Sequence, residues 1–295
     1  MPYRRVAILG GFGLSLGDGV IGLQALSVAQ SVCHFPKPCL FRWQGLGIVD
    51  GVYQLASDLA DIQALEPDWP PIEAHDLKNN FDQVIDMRDF ALNPGFRGVS
   101  MIDFFLDKLR VDKERVPSAM KQNDWLARRA NPIRPTNLPL DYVLFCPDSS
   151  MHLRSIPDKV ANKMILYLQE FQTHQIVSQR KHSLPNVTIA ERCHSINDLC
   201  GLIRHAKAVI STDTAIVHLA AAWSVPCLAL FTTHNPEWRV RDYPFCTAIY
   251  WPISKLPTAL EFSRGPDDIE AAEQNWATRA PLMSKVFADF FVKLQ

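Results

Sequence analysis

The residues best suited to chemistry follow a short apolar run, Ala208–Ile210, and read Ser211-Thr212-Asp213-Thr214. A helix predicted to begin at Asp213 or Thr214 would present its unbonded backbone N–H groups at the carboxyl end of a parallel strand, where phosphate groups bind. Thr214 adds a hydroxyl group, and His218 lies one helical turn further along the same face. The spacing also fits a capping aspartate and a histidine satisfied within the core.

A second group lies in the glycine-rich turn from Gly10 to Gly19, which contains Asp18. A carboxylate inside this turn would repel a pyrophosphate. The next predicted strand, which ends at Trp43, also lacks the acidic residue of a dinucleotide site, so the turn only weakly supports an NAD-dependent oxidoreductase. A carboxylate at a helix N-terminus suits a general base that takes a proton from a substrate hydroxyl, and the plain alternative is a helix cap.

The third group is a polar loop after the predicted strand Tyr142–Cys146. Two hydroxyl residues, Ser149 and Ser150, precede Arg154 in this loop. Hydroxyl groups and a guanidinium can hydrogen-bond phosphate oxygens and neutralise their charge. Asp148 would oppose such a site unless Arg154 pairs with it.

The elements that must position these groups alternate between strand and helix in both halves of the chain, which predicts α/β architecture with parallel sheets. In the first half the predicted strands are Arg5–Leu9, Cys39–Trp43 and Gln83–Met87, and the predicted helices are Val20–Ala29, Asp50–Leu65 and Ser100–Leu109. In the second half the strands are Tyr142–Cys146, Gln175–Ser178, Val187–Ala190, Ala208–Ile210 and Cys227–Phe231, and the helices are Lys159–Thr173, Ile196–His205, Thr214–Trp223 and Ala271–Leu294, the last with an interruption near Pro281.

Length and composition indicate two globular domains. The chain has 295 residues, which is long for one core, and proline-rich sequence at 131–139 marks the boundary. We therefore expect domains at 1–138 and 139–295, with the last helix able to pack back on the first domain. Thirty Lys and Arg against 31 Asp and Glu leave a net charge of −1 and no bulk field for nucleic acid or an anionic membrane.

Apolar stretches end well short of the roughly 20 residues that cross a bilayer, and no signal-peptide pattern follows Met1. This predicts a cytoplasmic chain with at most peripheral membrane contact at the inner face. Seven cysteines without a C-x-x-C pair predict reduced thiols, and their spacing to histidines predicts no metal site.

These motifs together resemble glycosyltransferase family 9, the heptosyltransferase-like enzymes. The run from Ser211 to Ala222, followed by Val225-Pro226, resembles the family's S-x-D-T/S-G-x-x-H-L-A-A-A signature. Three further matches occur in the family's order along the chain: Leu16-Gly17-Asp18, Phe81 to Asp86, and Ser149-Ser150 with Arg154 and Pro157.

The resemblance implies two Rossmann-like domains facing a cleft, the GT-B architecture. It implies an inverting, metal-independent transfer of a sugar, with heptose among the candidates, from a nucleotide-diphospho-sugar to a hydroxyl of a bacterial surface saccharide or glycolipid, as in lipopolysaccharide biosynthesis. ADP is the favoured nucleotide, and no cofactor is expected. Asp18 would be the general base and Arg154 would stabilise the diphosphate. The other donor-binding residues would be Ser149, Ser150, His194, Asp213, Thr214, Ala215 and His218, and the acceptor-side candidates are Gly17, Arg88 and Arg97, with Asp89 and Asp103 nearby.

The sequence departs from the family pattern at three places. Ala215 replaces the usual glycine after the D-T pair, Asp148 places a carboxylate near the diphosphate, and Gln179 to His182 stand where an acidic residue for the ribose is usual. These departures motivate an alternative function, a non-catalytic nucleotide or nucleotide-sugar binding protein that keeps the fold.

Overall fold

The computed structural model describes residues 5–65, 73–260 and 262–294. The chain divides into two units: Met1–Asn131 with His194–Asn197, and Pro132–Cys193 with Asp198–Gln295. The division after Asn131 and the predicted boundary after residue 138 fall in the same proline-rich segment, and the domain limits 1–138 and 139–295 stay a prediction. Within the described ranges, no helix has the length and apolarity needed to span a membrane.

The first unit is a four-stranded parallel sheet with helices. Its elements are β1 (Val6–Leu9), α1 (Leu16–Cys33), β2 (Cys39–Trp43), α2 (Ile48–Leu55), β3 (Asp61–Leu65), α3 (Ala74–Leu77), β4 (Gln83–Asp86), α4 (Met101–Lys108) and α5 (Asp124–Ala127). The strand order is β3-β2-β1-β4. All four residues of β1 are buried, as expected for a central parallel strand covered on both faces. Helix α1 packs against α2, α4 and α5.

The predicted helix Asp50–Leu65 is wrong in its second half. Helix α2 ends at Leu55, and the chain then forms strand β3, whose Asp61 pairs with Cys39 and whose Leu65 pairs with Trp43 of β2. Strand β3 lies at the edge of the sheet and is mostly exposed, so it lacks the apolar run that marks a buried strand.

Helix α1 begins directly after the glycine-rich turn. Ser15 is its N-cap and accepts a hydrogen bond of 3.1 Å from the N–H of Asp18, which places Asp18 in the first helical turn. The helix begins before the predicted start at Val20, because Ser15 caps it there. Three glycines in its first two turns let neighbouring side chains lie close to its inner face. A Cβ atom on Gly22 would lie 2.1 Å from Cγ of Phe12.

The second unit is a six-stranded parallel sheet in the order β10-β9-β8-β5-β6-β7. Its elements are β5 (Tyr142–Cys146), α6 (Asp158–Phe171), β6 (Gln175–Ser178), β7 (Val187–Ile189), α7 (Ile196–Arg204), β8 (Ala208–Thr212), α8 (Ala215–Ala222), β9 (Cys227–Phe231), β10 (Cys246–Tyr250), α9 (Pro266–Arg279) and α10 (Met283–Val292). Strand β10 was not predicted, and like β3 it is an edge strand. The last helix, α10, packs on α6 within this unit.

Two parallel α/β sheets confirm the predicted fold class of two Rossmann-like domains. In each, side chains that follow the strands at their carboxyl ends share one edge of the sheet, which is where such folds bind ligands.

Candidate functional site

The turn between β8 and α8 has the form predicted for an anion site. Thr214 is the N-cap of α8, and its hydroxyl accepts a hydrogen bond of 3.3 Å from the N–H of Ile216. Ser211 supports the turn, because its Oγ lies 3.1 Å from Oγ1 of Thr214. Helix α8 begins at Ala215, where a helical backbone tolerates the methyl group, and the N–H groups of its first turn have no partner within the helix.

Asp213 is part of this turn and is 4% exposed. Its Oδ2 lies 3.6 Å from Nη1 of Arg154 and 3.4 Å from Nδ1 of His234. Burial alone would raise the pKa of Asp213, but the charge of Arg154, the contact with His234 and the charge of Arg239 hold that pKa well below its usual range. A buried ionised carboxylate therefore lies beside the guanidinium of Arg154 and the imidazole of His234, within the field of Arg239.

This arrangement changes what Asp213 can do. The Asp213 carboxylate would repel a phosphate, whereas the guanidinium of Arg154 would attract one. The chemistry therefore favours Asp213 as the partner of Arg154 and His234, rather than as a direct phosphate ligand. Its direct contact with a diphosphate stays a prediction, as does that of Ala215. The positive charges of Arg154 and Arg239 add to that of the N-terminus of α8, and both favour an anion.

Sequence reasoning missed His234, Arg239 and Tyr243. These three residues lie in the segment after β9, and Asp213 lies directly after β8, the neighbouring parallel strand. Because the carboxyl ends of neighbouring parallel strands share one edge of the sheet, this position is the signal that could have found them. Their spacing along the chain carries no motif.

His218 is buried, at 4% exposure, and its Nδ1 lies 3.0 Å from the hydroxyl oxygen of Tyr243. Burial lowers the pKa of His218 to about 4, so the ring is neutral at pH 7. The structure places it as a hydrogen-bonded core histidine, the alternative that the spacing left open. Its contact with a ligand stays a prediction.

The polar loop after β5 is bonded within itself. The N–H of Ser149 donates to Oγ of Ser155 at 3.0 Å, and the Ser155 hydroxyl donates to the Ser149 carbonyl at 3.1 Å. Thr232, just beyond β9, donates a hydrogen bond of 3.0 Å to the carbonyl of Leu153, the residue before Arg154. Ser150 is exposed at the surface of this loop. The loop therefore presents Ser149, Ser150 and Arg154 on a fixed backbone.

The partner of Asp148 is Arg180, and the pairing with Arg154 considered from the sequence is wrong. Nε of Arg180 donates to Oδ1 of Asp148 at 2.9 Å, and its Nη1 donates to Asp158 at 2.8 Å. Arg180 follows β6 and so reaches both carboxylates, whereas Arg154 is held by Asp213. These groups line a cavity of about 410 Å³ beside the loop. The negative charge of Asp148 is thus neutralised locally.

In the first unit, Asp18 lies against the glycine-rich turn. A Cβ atom on Gly13 would lie 2.9 Å from Oδ2 of Asp18, and Gly13 has a φ of +97°, so only glycine fits this position without strain. Gly17 is buried in the same first turn of α1.

The other acceptor-side candidates differ in their surroundings. Arg88 pairs with Asp86 at 2.6 Å and with Glu73 at 3.5 Å, whereas Arg97 is exposed after a short 3₁₀ turn. Asp103, which was named near the acceptor-side candidates, is buried and accepts a hydrogen bond of 2.7 Å from Nζ of Lys121. His194 is exposed and is one of the four residues, His194–Asn197, that group with the first unit.

Metal-ligating residues do not gather in the described part of the chain. Nowhere in residues 5–65, 73–260 and 262–294 do three or more His, Cys, Asp or Glu side chains lie where they could hold a metal ion.

Comparison with known proteins gives a match to one family model over part of the chain, and a shared fold. The family model "Glycosyltransferase family 9 (heptosyltransferase)" matches residues 103–243, which contain the polar loop and the β8–α8 turn. No curated protein matches the sequence. The predicted resemblance to this family is confirmed.

Solved structures share the fold at low sequence identity. Escherichia coli ADP-heptose LPS heptosyltransferase II is 12% identical, with a TM-score of 0.57, over 94% of this chain and 99% of that one. E. coli heptosyltransferase WaaC with ADP is 15% identical, with a TM-score of 0.54, over 84% and 94% of the two chains. The iron-containing dodecameric glycosyltransferase TibC from enterotoxigenic E. coli H10407 is 14% identical, with a TM-score of 0.64, over 99% and 77%.

Proposed function

Because the model of glycosyltransferase family 9 matches residues 103–243, we propose that the chain moves a sugar from a nucleotide-diphospho-sugar to a hydroxyl group of a saccharide or glycolipid. The observation that carries this proposal is the cationic cluster around Asp213 at the start of α8. Arg154 and His234 there, with the N–H groups of α8, suit the two negative charges of a diphosphate leaving group.

The donor in this proposal is ADP-linked, with heptose as the sugar. Its support is the ADP bound by E. coli WaaC and the ADP-heptose bound by TibC. Ser149, Ser150, Arg154 and Thr214 would bind the diphosphate directly. Asp213 and His218 would support these groups from beneath, Ala215 would contribute its N–H, and His194 would pack on the base.

The reaction in this proposal is a single displacement that inverts the anomeric carbon. The Asp18 carboxylate takes the proton of the acceptor hydroxyl, whose oxygen forms a bond to that carbon. The bond from the carbon to the diphosphate oxygen breaks, and its electron pair leaves with the nucleoside diphosphate. Fixed cations and helix N–H groups offset the charge that develops on the leaving group, which is the proposed basis of metal independence.

The acceptor in this proposal is a bacterial surface saccharide or its lipid-linked precursor. Arg97 is exposed and suits contact with an anionic acceptor, whereas Arg88 would act together with its carboxylate partners and Gly17 through its backbone. We place the protein in the cytoplasm, with contact at the inner face of the membrane.

The experiment that tests the proposal compares wild type with Asp18→Asn. We expect ADP release from ADP-heptose to fall by about 10²- to 10⁴-fold, the usual effect of removing a general base, while the Kd for ADP stays unchanged. Asp107→Asn is the matched control, since Asp107 is an exposed aspartate of α4 that pairs with Lys113.

Two outcomes would contradict the proposal. If Asp18→Asn and Asp107→Asn release ADP at the wild-type rate, Asp18 is not the base. If the wild type binds ADP-heptose tightly but releases no ADP with any saccharide acceptor, the chain is the non-catalytic binding protein.

A further inference from the structure

A buried tyrosine contacts the chain on both sides of Asp18. Tyr53 of α2 is 1% exposed, and its hydroxyl oxygen accepts a hydrogen bond of 3.0 Å from the N–H of Phe12. A Cβ atom on Gly11 would lie 3.3 Å from this hydroxyl, and one on Gly19 would lie 3.2 Å from Cε2 of the ring. The two glycines permit this close packing. One side chain therefore fixes the turn before Asp18 and the helical residue after it.

Arg42 holds Tyr53 from the neighbouring strand. Its side chain is 2% exposed, its Cζ lies 4.2 Å from the centroid of the Tyr53 ring, and its Nη1 lies 2.6 Å from Oδ1 of Asp50. Nε and Nη2 of Arg42 are buried without a hydrogen-bond partner. The Asp50 carboxylate and the face of the Tyr53 ring thus each offset part of the cost of burying this cation. The stacking restricts where the ring can lie.

The charge of Asp18 also affects the pKa of Tyr53. Burial raises the pKa of Tyr53 to about 12, and the Asp18 carboxylate contributes in the same direction. The hydroxyl therefore keeps its proton over the pH range in which an enzyme works, and it remains a neutral acceptor for the Phe12 N–H.

The Asp18 carboxylate touches the turn that Tyr53 fixes, because its Oδ2 lies against Gly13, the residue after Phe12. We propose that Tyr53, supported by Arg42, is a positioning residue that sets where the Asp18 carboxylate lies. This inference rests on the proposed role of Asp18 as the general base. A displacement of about 1 Å in a reacting group is enough to cost a large factor in rate.

The test is Tyr53→Phe, which removes the hydroxyl and keeps the ring under Arg42. We expect kcat for ADP release from ADP-heptose to fall about tenfold or more, with KM for ADP-heptose unchanged because the donor residues are elsewhere in the chain. Amide hydrogen exchange over residues 10–19, measured without ligand, should become faster. Tyr142→Phe is the matched control, since Tyr142 is also a buried tyrosine, and its hydroxyl donates to the carbonyl of Leu202 in the second unit.

Each arm has a result that overturns the inference. The positioning role fails if Tyr53→Phe lowers kcat no more than Tyr142→Phe does, or if exchange over residues 10–19 matches wild type. Arg42→Lys, which keeps the charge but not the planar stack on the Tyr53 ring, should lower kcat in the same direction but by less. If Tyr53→Phe and Arg42→Lys both behave as wild type, the inference is also overturned.

The proposed function fails separately. If Asp18→Asn turns over at the wild-type rate, Asp18 is not the general base, whatever Tyr53→Phe shows. If Asp18→Asn loses turnover but Tyr53→Phe turns over normally, only the positioning role of Tyr53 fails. If the wild type releases no ADP, the exchange measurement decides the inference by itself.

Discussion

Replacing His218 should flatten the dependence of stability on pH. The folded protein holds this ring neutral, with a pKa of about 4 against an ordinary 6.5, because burial disfavours the charged form. The unfolded chain binds the proton below about pH 6.5 and the folded chain does not. His218 therefore contributes stability that is present above pH 6.5 and is lost as pH falls from about 6.5 towards 4.

The magnitude follows from the two pKa values. Each unit between them is worth about 1.4 kcal/mol, so the whole effect is about 3 kcal/mol, of which about 2 kcal/mol is lost between pH 7.5 and pH 5. Asp213 stays ionised throughout this range, because its pKa is held well below the usual value. It does not titrate together with His218.

The assay is urea unfolding of wild type and His218→Asn at several values from pH 7.5 to pH 5. The free energy of unfolding of the wild type should fall by about 2 kcal/mol more than that of the variant over this range. Burial also lowers the pKa values of His182 and His205, but both proteins keep these residues, so the difference isolates His218. Equal pH dependence in the two proteins would refute the reasoning.

Two further substitutions test packing and charge. Asp213→Asn should lower the free energy of unfolding at pH 7 by about 3–5 kcal/mol, because it removes the buried carboxylate beside Arg154 and His234, and unfolding curves that match wild type would contradict this. Gly22→Ala should lower the free energy of unfolding by about 1–3 kcal/mol, because the added methyl group overpacks against Phe12. Gly265→Ala is the control and should change this free energy little, because a Cβ atom there meets nothing within 4 Å. Equal effects of the two substitutions in urea unfolding would show that the close contact with Phe12 is absent.

The sequence was most informative where strands are buried. Tyr142–Cys146, Gln175–Ser178 and Cys227–Phe231 have the predicted bounds, because strands covered on both faces are continuous apolar runs. The two strands that were missed, β3 and β10, are edge strands that are partly exposed, and their composition does not distinguish them from a helix or a loop.

The site was predictable where one local segment carries it. A helix start at Asp213 or Thr214 was predicted from residue types next to each other in sequence, and Thr214 is the N-cap. The pairing of Asp213 with Arg154 and His234 was not predicted, because these two residues come from two other loops that the folded sheet brings together. The same holds for Arg180 with Asp148 and for Tyr53 with Phe12. Packing between elements that are distant in sequence determines these contacts, so the local spacing of residues does not predict them.

Calorimetric titration of the wild-type protein with ADP, UDP, GDP, CDP and NAD, in the absence of magnesium, tests the central claim most directly. A cationic cluster at the start of α8 that binds the diphosphate of an ADP-linked donor predicts binding of ADP in preference to the other nucleotides, and Arg154→Ala should weaken it. Binding of NAD alone, or of no nucleotide at all, would contradict the account.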